Sequence, residues 1–295
     1  MPLIKTKKLT HVYSIGTPFE HIAISDVDFE LEKGEYLGII GHTGSGKSTF
    51  IQHLNGLLKP TSGKVYYNER EIFESKEWTR KIRFRVGLVF QYPEYQLFET
   101  TLFDDIAFGP KNMGLPETEV RERVFEAAGF ALLDESLLDK SPFELSGGLK
   151  RRAAIAGVIA MYPEVLILDE PTAGLDPRGR AEIVANIMNY KKAHGATIIM
   201  VTHSMEEAAR NADRIIIFEN GSITMEGTPA EIFSETDRLT QMHLSAPKAA
   251  LVAERLRVMG LPVKGDIYTI PQLRSALVSL RKGDIHLQSP GDSLI

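Results

Sequence analysis

The chain of 295 residues has no cysteine, which excludes disulfides and thiolate metal sites and fits a reducing compartment. It also lacks any apolar run near the roughly 18–20 residues that span a bilayer. Apolar runs such as 165–168 and 215–218 have only strand length. The first residues, Met1-Pro2-Leu3-Ile4-Lys5-Thr6-Lys7-Lys8, carry lysines with no apolar core behind them and do not read as a signal peptide. Excess positive charge is missing too. The formal net charge of -5 offers no general attraction for nucleic acid or an anionic membrane surface. The expectation is a cytoplasmic protein without a nucleic-acid partner, whose membrane association comes through other proteins.

The remaining composition is that of an ordinary globular protein, 43% hydrophobic and 25% charged. Its length suits one large domain, or a large one with a small one. Ile24, Val27, Phe29 and Leu31 are mostly spaced by two, and Glu32-Lys33-Gly34-Glu35 closes that strand pattern. Residues 36–40 form a short apolar run that predicts a buried strand. A glycine-rich loop follows, then a predicted helix over 47–58 that stops before Pro60. The stretch from about 100 to 161 is helical in character, with Val120, Val124 and Ala127 spaced for one buried face and a further helix over 148–161. Strands are predicted at 165–168 and 197–202, with a helix over 178–194 between them. Asn220-Gly221 between two strand patterns predicts a hairpin, and Thr228-Pro229-Ala230-Glu231 has capping-box spacing. Two short helices, over 247–259 and 271–281, end the pattern, with apolar stripes of Leu251, Leu256 and Met259, and of Leu273, Leu277 and Leu280. The expected division is a core over 1–233, with a helical portion at about 100–161, and an appendage over 234–295.

Chemistry concentrates in a few segments. Gly41-His42-Thr43-Gly44-Ser45-Gly46-Lys47-Ser48-Thr49 lies between strand and helix, the context of a P-loop. Its glycines let backbone N–H groups approach phosphate oxygens, and the helix N-terminus adds partial positive charge. Lys47 supplies a full charge to the β- and γ-phosphates, and Ser48 an oxygen for Mg²⁺. The strand at 165–168 runs into Asp169 and Glu170. Alone, that pair reads equally as a solvated turn. Downstream of a P-loop, Asp169 can hold Mg²⁺ through water and Glu170 can polarise an attacking water as general base. His203 follows another apolar strand. Most such histidines are structural, but the carboxyl end of a parallel strand beside the P-loop strand also suits a γ-phosphate sensor. Ser146-Gly147-Gly148 opens a helix, either as a plain cap or as a second anion cradle serving a neighbouring molecule's nucleotide.

The ordered set resembles the nucleotide-binding domain of ATP-binding-cassette (ABC) proteins. The matching order is the loop at 41–49, Gln91, Leu145-Ser146-Gly147-Gly148, Asp169-Glu170, Ala173-Gly174-Leu175-Asp176 and His203. The resemblance covers about 1–233 and implies an α/β P-loop NTPase fold. That fold comprises a mixed-sheet core, an antiparallel β subdomain and an α-helical subdomain, with the C-terminal helical appendage added. It implies ATP and Mg²⁺ as cofactors. Tyr13 would stack on adenine, and Gln91 would reach Mg²⁺ and water and sense a membrane partner. Ser146 and Gly148 would contact the γ-phosphate of ATP held by an opposite subunit, and Asp176 would cross the dimer interface. Two such domains would close head to tail over two ATP molecules and reopen after hydrolysis. One departure is Leu149, where the family usually has Gln after Ser-Gly-Gly. The expectation is a working composite site of lower activity.

Within that family, Val86-Gly87-Leu88-Val89-Phe90-Gln91-Tyr92-Pro93-Glu94-Tyr95-Gln96-Leu97-Phe98-Glu99 resembles the energy-coupling-factor (ECF) type of ATPase. Asp105-Ile106-Ala107-Phe108-Gly109-Pro110, the segment 147–157 and the appendage support this. The segment Pro93 to Glu99 looks more like the second of the two ATPase types in such complexes. The resemblance implies a motor subunit at the cytoplasmic side of the membrane, driving uptake of a vitamin or a transition-metal ion. Its partners would be a second ATPase, identical or similar, a transmembrane scaffold and a substrate-capture membrane subunit. Glu94, Glu99, Asp104 and Asp105 around Tyr92, Tyr95 and Phe98 read either as a docking groove for Arg-bearing scaffold helices or as a solvated acidic face. The terminal helices read either as a device that holds two ATPases together or as a local cap. The nearest rival is the motor of a conventional ABC importer or exporter. A soluble ABC ATPase would need a second cassette or a coiled-coil insertion, and a P-loop kinase has no need of Leu145-Ser146-Gly147-Gly148.

Overall fold

A computed structural model describes residues 1–263 and 265–282. The described residues form two compact units, one of Met1–His203 with Asp213–Glu226, the other of Ser204–Ala212 with the described residues from Gly227 onward.

The first unit holds two sheets. Strands β1 (Ile4–Tyr13), β2 (His21–Leu31), β4 (Ser62–Tyr67) and β5 (Arg70–Glu71) form an antiparallel sheet in the order β2-β1-β4-β5. Strands β3 (Tyr36–Ile40), β6 (Val86–Val89), β7 (Val165–Asp169), β8 (Thr197–Val201), β9 (Arg214–Glu219) and β10 (Ser222–Gly227) form the second, in the order β10-β9-β3-β8-β7-β6. The pairs from β9 through β6 are parallel. Strands β3, β6, β7 and β8 are buried throughout, as continuous apolar runs covered on both faces must be.

In β2 the one step of three, Ile24 to Val27, has a structural cause. Between the pairs Leu9–Val27 and His11–Ile24 the register shifts, and Asp26 takes φ 54°, so a bulge returns Ile24 to the buried face. Asn220 and Gly221 both have positive φ and close the β9–β10 hairpin.

Helix α1 (Lys47–Leu54) is shorter than the predicted 47–58. Gly56, at φ 74°, ends it in a Schellman turn, with Leu57 N donating to Gln52 O (2.9 Å) and Gly56 N to His53 O (3.1 Å). After α2 (Lys76–Arg85) the helices α3 (Leu102–Asn112), α4 (Glu117–Phe130) and α5 (Gly147–Ile159) pack on one another. Val120, Val124 and Ala127 are buried in α4 as predicted. Helix α6 (Pro177–His194) links β7 to β8.

The second unit holds α7 (Met205–Asn211), α8 (Pro229–Ser234), α9 (Thr236–Gln241), α10 (Lys248–Val258) and α11 (Ile270–Lys282). Residue 234, where the sequence reading divides the chain, is the last residue of α8, inside this unit. The unit also takes in α7, whose Glu206 carboxylate accepts from Lys248 N. The capping box forms, Glu231 N bonding Thr228 Oγ1 and Thr228 N bonding Glu231 Oε2.

The predicted stripes on α10 and α11 need correction. Leu251, Met259 and Leu277 are exposed. The buried seams run through Ala249, Ala253 and Leu256, and through Leu273, Ala276 and Leu280. Both seams step by three and four, as a helix face requires, and small alanines let the two helices approach. Among the described residues no helix is long and apolar enough to cross a membrane.

Candidate nucleotide site

The parallel strands end together, so the segments after β3, β6, β7 and β8 meet at one edge of the sheet. The loop after β3 is held very close to its neighbours. A Cβ at Gly41 would lie 2.3 Å from the Phe218 carbonyl oxygen. One at Gly46, where φ is 106°, would lie 2.5 Å from that of Ala23. The β9–β10 turn braces the loop from outside, Gly221 N donating to Ser45 O (2.9 Å). Lys47 is 5% exposed, and its Nζ donates to Gly41 O and His42 O (2.8 Å each) and to Ser45 Oγ (3.4 Å). Burial lowers its pKa, against the opposing charges of Glu170 and Asp169. The ammonium is therefore kept inside the loop by neutral oxygens that anionic phosphate oxygens can replace. His42, Thr43, Gly44 and Ser48 lie open to solvent, and Thr49 is half-buried.

Asp169 ends β7, buried, and Ser48 hydrogen-bonds its carboxylate. Burial raises the Asp169 pKa, and the Ser48 bond and the Lys47 charge oppose that rise. Glu170 turns sharply out of the strand with φ 49°, a left-handed conformation that costs a non-glycine residue about 1 kcal/mol or more. Its N–H is tied to Val201 O (3.0 Å). Its carboxylate accepts from Gln91 Nε2 (3.0 Å) and meets His203 Nε2 (2.6 Å). Three predicted residues from three different strand ends thus converge on one group. Ser48 and Asp169, joined by their hydrogen bond, offer hard oxygen donors that would suit Mg²⁺ and relieve the buried Asp169 charge.

Tyr13, at the end of β1, is half-exposed, with its hydroxyl 3.2 Å from Thr49 Oγ1. Its ring meets the edge of His11 at 4.5 Å, and His11 Nδ1 lies 3.1 Å from His53 Nε2. Sequence reading missed this histidine pair, because neither histidine stands in a motif. Ser146 caps α5, accepting from Leu149 N (3.4 Å), and Gly147 and Gly148 face open space. Asp176 caps α6, accepting from Gly179 N and Arg178 N (2.9 Å each), bonds that lower its pKa. All four residues are exposed, and the capping bonds of Ser146 and Asp176 stay within their own helices.

The acidic cluster differs from its sequence reading. Glu94 is bound by Arg151 of the same chain, Nε to Oε2 at 3.0 Å and Nη2 to Oε1 at 2.8 Å. Asp104 pairs with Lys111 (2.9 Å). Asp105 is 8% exposed and accepts from Phe98 N and Glu99 N through Oδ1. Spacing alone could not reveal Arg151, whose partner lies 57 positions earlier. The exposed large apolar side chains here are aromatic. Tyr92, Tyr95, Phe98 and Phe108 are exposed, and a groove of about 330 Å³ opens beside Phe98 and Phe108.

A family model described as ABC transporter matches residues 24–173. The energy-coupling factor transporter ATP-binding protein EcfA2 of Clostridium perfringens is 52% identical over 278 residues, covering 94% of this chain and 98% of that protein. Its counterpart from Caldanaerobacter subterraneus subsp. tengcongensis is 51% identical, covering 95% of this chain and 98% of that protein. The chain belongs to the energy-coupling factor ATPases of the ABC transporter family.

Solved structures of ABC family members agree. CbiO1 from Clostridium perfringens, described as part of the ABC transporter complex cbiONQ, has a TM-score of 0.72 and 39% identity, covering 86% of this chain and 99% of that one. The cassette MJ0796, solved as a dimer in a post-hydrolysis state with ADP and Pi, has a TM-score of 0.70 and 29% identity, covering 77% of this chain and 98% of that one. As an ABC ATPase, the chain binds ATP.

Proposed function

We propose that this chain is one of two ATPase subunits that power an energy-coupling factor importer from the cytoplasmic face of the membrane. The observation that carries the reading is the Glu170 carboxylate, bracketed by Gln91 and His203 beside the P-loop. Glu170 acts as general base, taking a proton from the attacking water while Gln91 orients it. His203 contacts the γ-phosphate, and Lys47 leaves its loop carbonyls for the β- and γ-phosphate oxygens. Mg²⁺, held by Ser48, Asp169 and Gln91, would neutralise charge on the phosphates. Tyr13 stacks on adenine. Ser146, Gly147, Gly148 and Asp176 serve the nucleotide of the second subunit, which accounts for their open surface. The dimeric state of the solved MJ0796 cassette supports that arrangement.

The groove beside Phe98 and Phe108 is the docking place for a scaffold helix. Its wall includes Leu57, Phe84 and Leu88, and Asp105 there has a buried Oδ2 without a hydrogen-bond partner. An apolar helix carrying one cation would satisfy that oxygen. Exposed Leu251, Val258, Met259 and Leu277 offer an apolar surface that holds two ATPases together between closures. The cargo is a vitamin or a transition-metal ion captured by a separate membrane subunit. Co-purification with all membrane partners, followed by mass spectrometry, tests the reading. Recovery of a second ATPase with a single scaffold protein is expected. Recovery of a two-domain permease would replace it with a conventional ABC transporter.

A further inference from the structure

We infer that Arg151 is a positioning residue that locks the Gln91 segment, the Ser146 helix and the Asp176 segment into one hydrolytic geometry. The inference rests on the reading of Glu170 as base. Arg151 lies on α5, 4% exposed, on the same helix face as the buried Ala154 and Ile155. A guanidinium buried in such a place is tolerated only when its donors are satisfied. Here they are. Nε and Nη2 form a two-pronged pair with Glu94, at 3.0 and 2.8 Å. Nη1 donates to the carbonyls of Pro171 (3.3 Å) and Ala173. The Tyr92 ring lies 6.0 Å from the guanidinium carbon.

The placement of these partners carries the argument. Glu94 sits in the short turn Pro93–Gln96, just after Gln91. Pro171 and Ala173 lie between Glu170 and Asp176. Gln91 in turn bonds Glu170. The bonds therefore close a ring, from Gln91 to Glu170, along the chain to Pro171, across Arg151 to Glu94, and back along the chain to Gln91. Arg151 is also near the start of the helix that Ser146 caps. Any shift of the turn at 93–96, which borders the groove at Gln96 and Leu97, must move Arg151 or break this ring. The movement then reaches Glu170, Asp176 and the Ser146 end together. A lysine could not do this. Its ammonium is a single point with no planar fork for carboxylate and carbonyls at once.

Full-length variants, each paired with the partner ATPase, test the inference through steady-state ATPase activity. Arg151→Lys and Arg151→Met should lower kcat by between about tenfold and a hundredfold, the range that small misplacements cause, with KM for ATP within about twofold. Glu94→Gln, which keeps the shape and removes the charge, should lower kcat in the same direction. The double variant Glu94→Gln with Arg151→Met should be no worse than Arg151→Met alone, because the two residues act as a unit. A purely structural role would lower melting temperature and the active fraction, leaving kcat per folded site unchanged. That result, or additive losses in the double variant, overturns the inference. Should Arg151→Met fail to fold, Arg151→Lys and Glu94→Gln decide it by the same kcat criterion. Glu170→Gln, run in parallel, separates the two claims. Persistent hydrolysis in that variant overturns the assignment of the base, whereas its loss beside a wild-type kcat in Arg151→Lys and Glu94→Gln overturns only the role of Arg151.

Discussion

The His203 Nε2 atom lies 2.6 Å from Glu170 Oε1, while Gln91 Nε2 donates to the other oxygen of the same carboxylate at 3.0 Å. A carboxylate held on both sides has one orientation, and the φ of 49° at Glu170 aims it out of the β7 strand line. Glu170→Gln keeps this shape and removes the base. It should cut kcat by about a hundredfold or more while ATP affinity stays within a few-fold. The ATP-loaded pair should then accumulate in its closed form, read by gel filtration with ATP present. Hydrolysis near the wild-type rate would show that another group takes the proton.

Much of this site could be read directly from residue order. Gly41 to Thr49, Asp169-Glu170 and His203 each follow an apolar run of strand length, and parallel strands bring such ends to one edge. Long-range pairing could not be read. Glu94 looks like a surface acid until Arg151 arrives from α5, and Asp105 looks solvated until the backbone N–H groups of Phe98 and Glu99 enclose it. The terminal helices show a third limit. Leucine spacing marked Leu251 and Met259, but the seam is carried by Ala249 and Ala253, whose small size permits the contact. Hydrophobicity alone cannot separate a buried alanine from an exposed leucine.

The histidine pair behind Tyr13 gives a pH dependence of stability. His53 Nδ1 lies 2.7 Å from Thr49 O, which can only accept, so Nδ1 carries the hydrogen and the neutral ring presents Nε2 toward His11. Burial, with a smaller contribution from His11, pushes the His53 pKa down to about 4, although the Thr49 carbonyl opposes this. The unfolded chain, with an ordinary value near 6.5, binds the proton first as pH falls. Stability is thus fully present above about pH 7 and declines toward pH 4, by about 2 kcal/mol at pH 5. Thermal melts at pH 7.5 and 5 should show a smaller drop for His53→Gln than for the parent chain. Equal drops would mean that His53 is not buried as a neutral ring.

Asp105 and Glu94 separate docking from internal structure. Asp105→Asn keeps an acceptor for Phe98 N and Glu99 N and removes a carboxylate whose pKa burial raises. The melting temperature of the isolated chain should hold or rise, since a buried charge is lost. Recovery of the membrane scaffold in co-purification should fall severalfold, with ATP affinity unchanged. Undiminished recovery would remove Asp105 from the docking surface. Charge reversal at Glu94 is a poorer probe, because it breaks the bond to Arg151 within the chain.

Leu149 stands where the family usually has Gln, and its surroundings favour a clean test. Its N–H bonds Ser146 Oγ (3.4 Å), and its side chain is half-buried near the exposed start of α5. Leu149→Gln leaves that backbone bond in place, so the cap survives and stability should change by no more than about 0.5 kcal/mol. The new amide adds donors and an acceptor beside Ser146 and Gly148, where the second subunit's nucleotide would rest. On the proposed reading those groups would act only when two subunits close. The gain should therefore appear as a severalfold rise in kcat of the assembled pair, with no change in nucleotide affinity of the isolated chain. An unchanged kcat in the assembled pair would mean that backbone N–H groups and Ser146 already supply all the contacts this composite site uses.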